Sequence, residues 1–192
     1  FEEEPFYAMF DALPGVVYET AVLPDDAELL KPGLEEKFDV IVRYDMVPEI
    51  SPEQREAFRA LLERGIGLVA LHHNLAAHPR WPEYRTIIGG AYLVAETEID
   101  GVRHEPSTYS HGEVLSVHVA EPEHPITRGL EDFTIHDETY HGYYTSPRVK
   151  VLMTTDSPKN DPEVAWVTHY GKSRVFYLML GHDSESWKHP AY

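Results

Sequence analysis

Residues 39–71 constrain the fold more tightly than any other stretch of this chain. Asp39–Tyr44 (DVIVRY) is a short β-branched run, the pattern of a strand buried in a parallel sheet. Ser51 is a good helix N-cap, Pro52 fits the first helical position, and Gln54 completes a capping box. Phe58, Leu61 and Leu62 form an i, i+3, i+4 apolar stripe, and Gly65 supplies the stop. Gly67–Leu71 (GLVAL) follows at once as a second apolar strand. Strand, helix and strand at this spacing make a βαβ unit, so the sheet is at least partly parallel.

On the N-terminal side, Pro5–Leu13 (PFYAMFDAL) has apolar residues at helical spacing, and Val16–Val22 alternates like a strand. Pro82–Ile88 predicts a short helix before Gly89-Gly90. Beyond it the chain is β-rich. Val114–Val119, Val149–Thr154, Val164–His169 and Arg174–Leu180 read as strands, the last two joined by a hairpin turn at Tyr170-Gly171-Lys172-Ser173. No repeat or linker divides the 192 residues, which predicts a single domain over 1–192.

The second strand runs straight into His72-His73-Asn74, and the final apolar run into Gly181-His182-Asp183. In open α/β sheets ligands bind outside the carboxyl ends of parallel strands, so two such strands would bring His72 and His182 to one edge. A third cluster is Ile135–His141 (IHDETYH). If it is extended, His136, Glu138 and Tyr140 share one face and Asp137 the other, which makes Glu138 the inward carboxylate. A fourth, Ser107–Gly112, is polar and turn-like and contributes Tyr109 and His111. Each has a plainer reading: a histidine pair can cap a helix, IHDETYH can be a solvated loop, and Trp166 and Trp187 can simply pack. His78, His104, His118, His141, His169 and His189 are expected at the surface. No spacing of the HExxH kind is present.

Charge and cysteine content remove several function classes. Lys and Arg number 16 against 33 Asp and Glu, and the net charge of −17 argues against nucleic acid as a partner. No apolar run reaches membrane-span length, so no membrane partner is expected. No signal-peptide pattern is visible, and a cytoplasmic location is the expectation. The absence of cysteine excludes disulfides, thiolate zinc sites and a cysteine nucleophile within these residues.

Several motifs in one order resemble the ThuA-like (trehalose-utilisation) family. They are FDVIVRYD, SPEQREAFRALLERGIGLVALHH, WPEYRTIIGG, HPITRGLEDFTIHDETY, VAWVTHYGKSRVFY and LGHDSESW, running from about Phe38 to the C-terminus. The resemblance implies a class I glutamine amidotransferase-like fold: a flavodoxin-like three-layer α/β/α sandwich with a mainly parallel sheet and a β-rich C-terminal part. It also implies one ThuA-like domain whose first strand and last helix lie outside these residues. The amidotransferase nucleophile position falls at His72 and the later catalytic histidine at His182. With no cysteine, amidotransferase chemistry through a thioester is excluded.

Family members are associated with catabolism of trehalose and related sugars that pass through 3-keto derivatives. The resemblance therefore implies a hydrolase or lyase acting on a (3-keto-)glycoside. His72, Glu138 and His182 are the expected catalytic residues. His73, Tyr109, His111, Tyr140, Asp183 and Trp187 are the expected substrate contacts. A divalent metal, Zn or Mn, is the expected cofactor, held by His72, His111, Glu138 and His182, with no nucleotide cofactor. The expected partner is a small sugar, and homo-oligomerisation is left open. The alternative is a non-catalytic sugar-binding or regulatory domain that uses Tyr109, Tyr140, Tyr143, Trp166 and Trp187 for stacking and hydroxyl contacts. Clustered imidazoles favour the enzyme, and scattered ones the binder.

Overall fold

In the computed structural model, which describes residues 2–46 and 49–192, the βαβ unit forms as its sequence dictates. Strand β1 (Val40–Arg43) precedes helix α2 (Pro52–Arg64), which leads to β2 (Gly67–Leu71); helix α1 (Glu3–Asp11) lies upstream. The Ser51 hydroxyl accepts from the Gln54 N–H while the Gln54 side chain accepts from the Ser51 N–H, and Gly65 ends the helix at φ 109°. Phe58, Leu61 and Leu62 are fully buried against the sheet. The chain continues through α3 (Pro82–Ile88), the short strands β3 (Gly90–Ala91), β4 (Thr97–Ile99) and β5 (Val102–His104), and the long strands β6 (Thr108–Val119) and β7 (Phe133–His141). It finishes with β8 (Tyr144–Thr145), β9 (Lys150–Thr155), β10 (Glu163–Tyr170), β11 (Ser173–Leu178) and α4 (Ser184–Trp187).

Seven strands form one mixed sheet in the order β1-β2-β11-β10-β9-β6-β7. Strand β2 pairs in parallel with β1 on one side and β11 on the other. The remaining pairings, β11–β10, β10–β9, β9–β6 and β6–β7, are antiparallel. This overturns the expected flavodoxin-like three-layer sandwich with a mainly parallel sheet. The reason lies in the connections. A parallel pair needs a crossover long enough for a helix, whereas β10 and β11 are joined by a two-residue turn and no helix lies between β6 and β11. Strand outweighs helix among the described residues, and the α-helices other than α2 span nine, seven and four residues.

Two further expectations fail locally. Val16–Val22 forms no strand, and Val16, Val17 and Val22 are exposed. His78 is not at the surface but 2% exposed, boxed against Trp81 and Tyr84, with Nε2 accepting from Arg43 Nη2 at 3.1 Å. The same guanidinium is buried, pairs with Asp45 at 2.6 Å and lies over the Tyr84 ring. Among the described residues no helix is long and apolar enough to cross a membrane.

Candidate active site

At the carboxyl end of β2 the backbone turns sharply into a one-turn 3-10 helix, His72–Ala76. His72 makes that turn at φ 47°, a left-handed conformation that a non-glycine residue adopts only under constraint. The constraint is visible. The Tyr177 hydroxyl donates to the His72 carbonyl at 2.9 Å. Asn74 donates to the Asp45 carbonyl at 3.0 Å and accepts from Tyr84 Oη at 2.6 Å. The imidazole that results is fully buried, and its Nδ1 lies 2.6 Å from the Met179 carbonyl. A carbonyl only accepts, so Nδ1 carries a proton, and in the neutral ring Nε2 presents its lone pair. Of the partners open to that second nitrogen, a backbone carbonyl is the one used; Asn74 braces the turn instead.

Three groups converge on His72 Nε2: Tyr140 Oη at 2.9 Å, Glu138 Oε2 at 3.0 Å and His182 Nδ1 at 3.2 Å. His182 Nδ1 is also 3.3 Å from Glu138 Oε2. The three ligand-type atoms thus form a triangle with edges of 3.0, 3.2 and 3.3 Å. In the neutral ring Nε2 and a carboxylate oxygen are both acceptors, and two acceptors this close require a shared proton or a cation between them. Burial pushes the Glu138 carboxyl up, but the hydrogen bond and charge of His72, the Tyr140 hydrogen bond and the charge of His182 outweigh it, leaving its pKa below the usual carboxylate range. Burial, with Tyr177 and Glu138 close by, raises the Tyr140 phenol far above its ordinary value, so it stays a hydrogen-bond donor.

His182 is held by its backbone. Gly181 N and His182 N donate to the Asp137 carboxylate at 2.7 and 3.0 Å. Tyr44 shares its hydroxyl proton between the Gly181 and His182 carbonyls, each 2.9 Å away. Gly181 sits at φ 112°, and a Cβ there would run into the Tyr192 ring. Strand parity does place Glu138 toward His72, but Asp137 is equally buried and holds the loop that carries His182. Sequence reasoning set Asp137 outside the site and passed over Tyr44. The available signal was an acidic residue beside Glu138 together with a Gly-His turn whose N–H groups needed an acceptor.

His111 reaches the site through a β-bulge. Strand β6 runs Thr108↔His141 to Ser110↔Thr139, then resumes at Glu113↔Asp137, so His111 and Gly112 together oppose Glu138. Gly112 takes φ 66° to make the bulge. His111 Nδ1 thereby lies 3.0 Å from Glu138 Oε1, the oxygen outside the triangle. It braces the carboxylate from outside the group of converging atoms, which belong to His72, Glu138 and His182. The His111 and His182 side chains are 59% and 36% exposed, so the site opens to solvent on their side. Tyr109 stands exposed at that mouth, its ring 5.1 Å from that of His111.

The remaining expected contacts flank these groups, the His73 ring standing 5.2 Å from that of His72. His73 packs its ring edge-on to Tyr44 at 4.3 Å, and burial followed by the charge of His72 lowers its pKa to about 4, keeping it neutral. Asp183 is exposed and caps α4, accepting from Glu185 N at 2.9 Å and Ser186 N at 3.3 Å. Trp187 is buried and donates to the Gly181 carbonyl at 2.8 Å.

The trehalose-utilisation family, ThuA, matches this chain over residues 15–192. No curated protein matches it in sequence. Among solved structures, the chain is similar to a ThuA-like protein from Parabacteroides merdae, at 18% identity and a TM-score of 0.66, covering 80% of this chain and 65% of that one. A ThuA-like protein from Bacteroides uniformis matches at 22% identity and a TM-score of 0.62, covering 86% and 66%. A protein of Salmonella typhimurium LT2 described as cytoplasmic matches at 12% identity and a TM-score of 0.67, covering 97% and 82%. At such identities the likeness speaks to the fold alone. The chain spans about two thirds of the length of the first two proteins, 65% and 66%.

Proposed function

The chain belongs to the ThuA, or trehalose-utilisation, family, a carbohydrate-utilisation family, and from that premise we propose that it is a metal-assisted enzyme acting on a keto-glycoside or related sugar. The observation that carries the reading is the triangle of His72 Nε2, Glu138 Oε2 and His182 Nδ1, with edges of 3.0, 3.2 and 3.3 Å. Ligand atoms about 2.0–2.1 Å from a tetrahedral zinc stand roughly 3.3–3.4 Å apart, close to these spacings, and two histidines with one glutamate leave a position open. Met179 fixes the His72 tautomer and His111 braces Glu138, the outer support that metal-ligating imidazoles and carboxylates ordinarily have.

When bound, a divalent ion supplies Lewis-acid polarisation of a keto oxygen or of a water molecule. The protein's residues do the rest. Tyr140 donates a hydrogen bond beside the triangle, from a position sealed off from solvent. His111 keeps Nδ1 on Glu138 while its Nε2, without a partner among the described residues, faces the open side where a substrate proton can be taken or returned. Tyr109 offers an exposed ring to the apolar face of a sugar. The binding-domain alternative is weakened because Tyr143, Trp166 and Trp187 are buried in the core. A cytoplasmic location accompanies this reading.

The test pairs metal analysis of purified protein with turnover of 3-keto-glycosides. One zinc or manganese ion per chain and turnover are expected, both lost in Glu138→Gln while circular dichroism is unchanged. A metal-free protein that still turns over the substrate would remove the metal from the reading, and no turnover by metal-loaded protein would remove the enzyme.

A further inference from the structure

A second concave site lies at the opposite end of β11 from His182. Its floor is formed where β9 begins and β10 ends, with Val167 paired to Lys150 and His169 paired to Arg174. The cleft has a volume of about 560 Å³, within the usual range for small-molecule sites. Arg148, Lys150, His124 and His169 line it together with Ser146 and Thr168, and no carboxylate is in the lining. In a chain with a net charge of −17 that is a local reversal of sign. Among the described residues Arg148 has no acidic partner, whereas Lys150 leans out to Glu121 at 2.9 Å.

We propose that this cleft binds a phosphorylated sugar of monosaccharide size, with the phosphate on Arg148 and Lys150 and the sugar hydroxyls toward His169, which shares the sheet face of Val167 and Lys150. Guanidinium and ammonium groups make charge-assisted hydrogen bonds to a phosphomonoester, and Lys150 exchanges Glu121 for the ligand. The cleft is far larger than inorganic phosphate alone requires, and the imidazoles of His124 and His169 give a polyol partners that a bare anion would not use. The acidic remainder of the molecule repels anions at long range, so an anion is drawn to this patch of opposite sign by short-range contacts that salt weakens. The inference is independent of the reading of the histidine site.

Calorimetric titration at low ionic strength with glucose 6-phosphate, inorganic phosphate and glucose tests it. Glucose 6-phosphate is expected to bind at one site per chain and more tightly than phosphate, with glucose not binding. The double substitution Arg148→Ala, Lys150→Ala should weaken it by at least about tenfold, since two charge-assisted contacts are lost. Arg103→Ala, removing an exposed charge on β5, should leave it unchanged. The proposal is overturned by no saturable binding, by phosphate binding as tightly as the sugar phosphate, by equal loss in the Arg103 variant, or by binding that survives the double variant but not His182→Ala.

Discussion

His72 and His78 are both buried and both held at positive φ, 47° and 51°, yet burial serves different ends at each. At His72 every ring nitrogen is engaged, so the strained backbone is compensated by a turn braced from Tyr177, Asn74 and Met179. At His78 only Nε2 is engaged, Nδ1 has no partner among the described residues, and a buried guanidinium stands beside it. Burial first, and the Arg43 charge second, push the His78 pKa from 6.5 down to about 3. Its protonated form is therefore refused by the folded chain and accepted by the unfolded one. The contribution to stability is whole above about 6.5 and is lost as pH falls through that value toward about 3. His78→Asn should tolerate the left-handed backbone and still accept from Arg43. In urea unfolding followed from pH 7 to 4, the parent should lose on the order of a few kcal/mol more than this variant. Equal acid slopes in the two proteins would show that His78 does not titrate in this way.

Among the elements, those with local causes could be read from sequence, and those with distant causes could not. The α2 helix announces itself through Ser51, Pro52, Gln54 and Gly65, all within its own turns, and forms as expected. Strand β7 does not, because Ile135–His141 carries the polar groups of the site on both its faces and so lacks the alternation of a half-buried strand. The first half of β6 is disguised for the same reason, and its bulge breaks the period further. Val16–Val22 shows the reverse error, since alternation without a partner does not make a strand. The histidines at the strand ends and the inward Glu138 were visible through parity, whereas Asp137 and the bracing role of His111 depend on pairing register. The bulge makes a specific prediction. Gly112→Ala leaves its new Cβ in open space but strains φ 66° by roughly 1–2 kcal/mol. The bulge should then relax, His111 should swing off Glu138, and zinc affinity should fall about tenfold, as in His111→Ala. Unchanged affinity in Gly112→Ala, with His111→Ala weakened, would mean the bulge survives the strain.

At the scale of the whole molecule, the puzzle is that Glu138 meets His72 at all. Strand β2 is second in the sheet and β7 is the last, with four strands between them. A flat sheet would hold these strands far apart, since neighbours are spaced about 4.8 Å. The sheet must curl until its last strand faces the end of β2, and the contact of 3.0 Å between His72 Nε2 and Glu138 Oε2 marks where it closes. His182, which follows β11, completes the closure from between them. An ion at this point would join three distant parts of the chain in the folded state and none in the unfolded one. Its binding would therefore appear as folding stability. At a free zinc concentration about 100 times the dissociation constant, chelator-treated protein should gain about 2.7 kcal/mol. For a chain of this size that is a rise in Tm of roughly 5–10 °C. Glu138→Gln should lose nearly all of the rise, because it takes the anionic ligand out of the triangle while keeping its shape. His118→Ala, which removes an exposed imidazole paired with Asp132, should show the full rise. Calorimetric melts with and without zinc decide the matter: an equal shift in the parent and in Glu138→Gln would place zinc elsewhere on this acidic surface, and no shift in the parent would mean that a shared proton closes the curl.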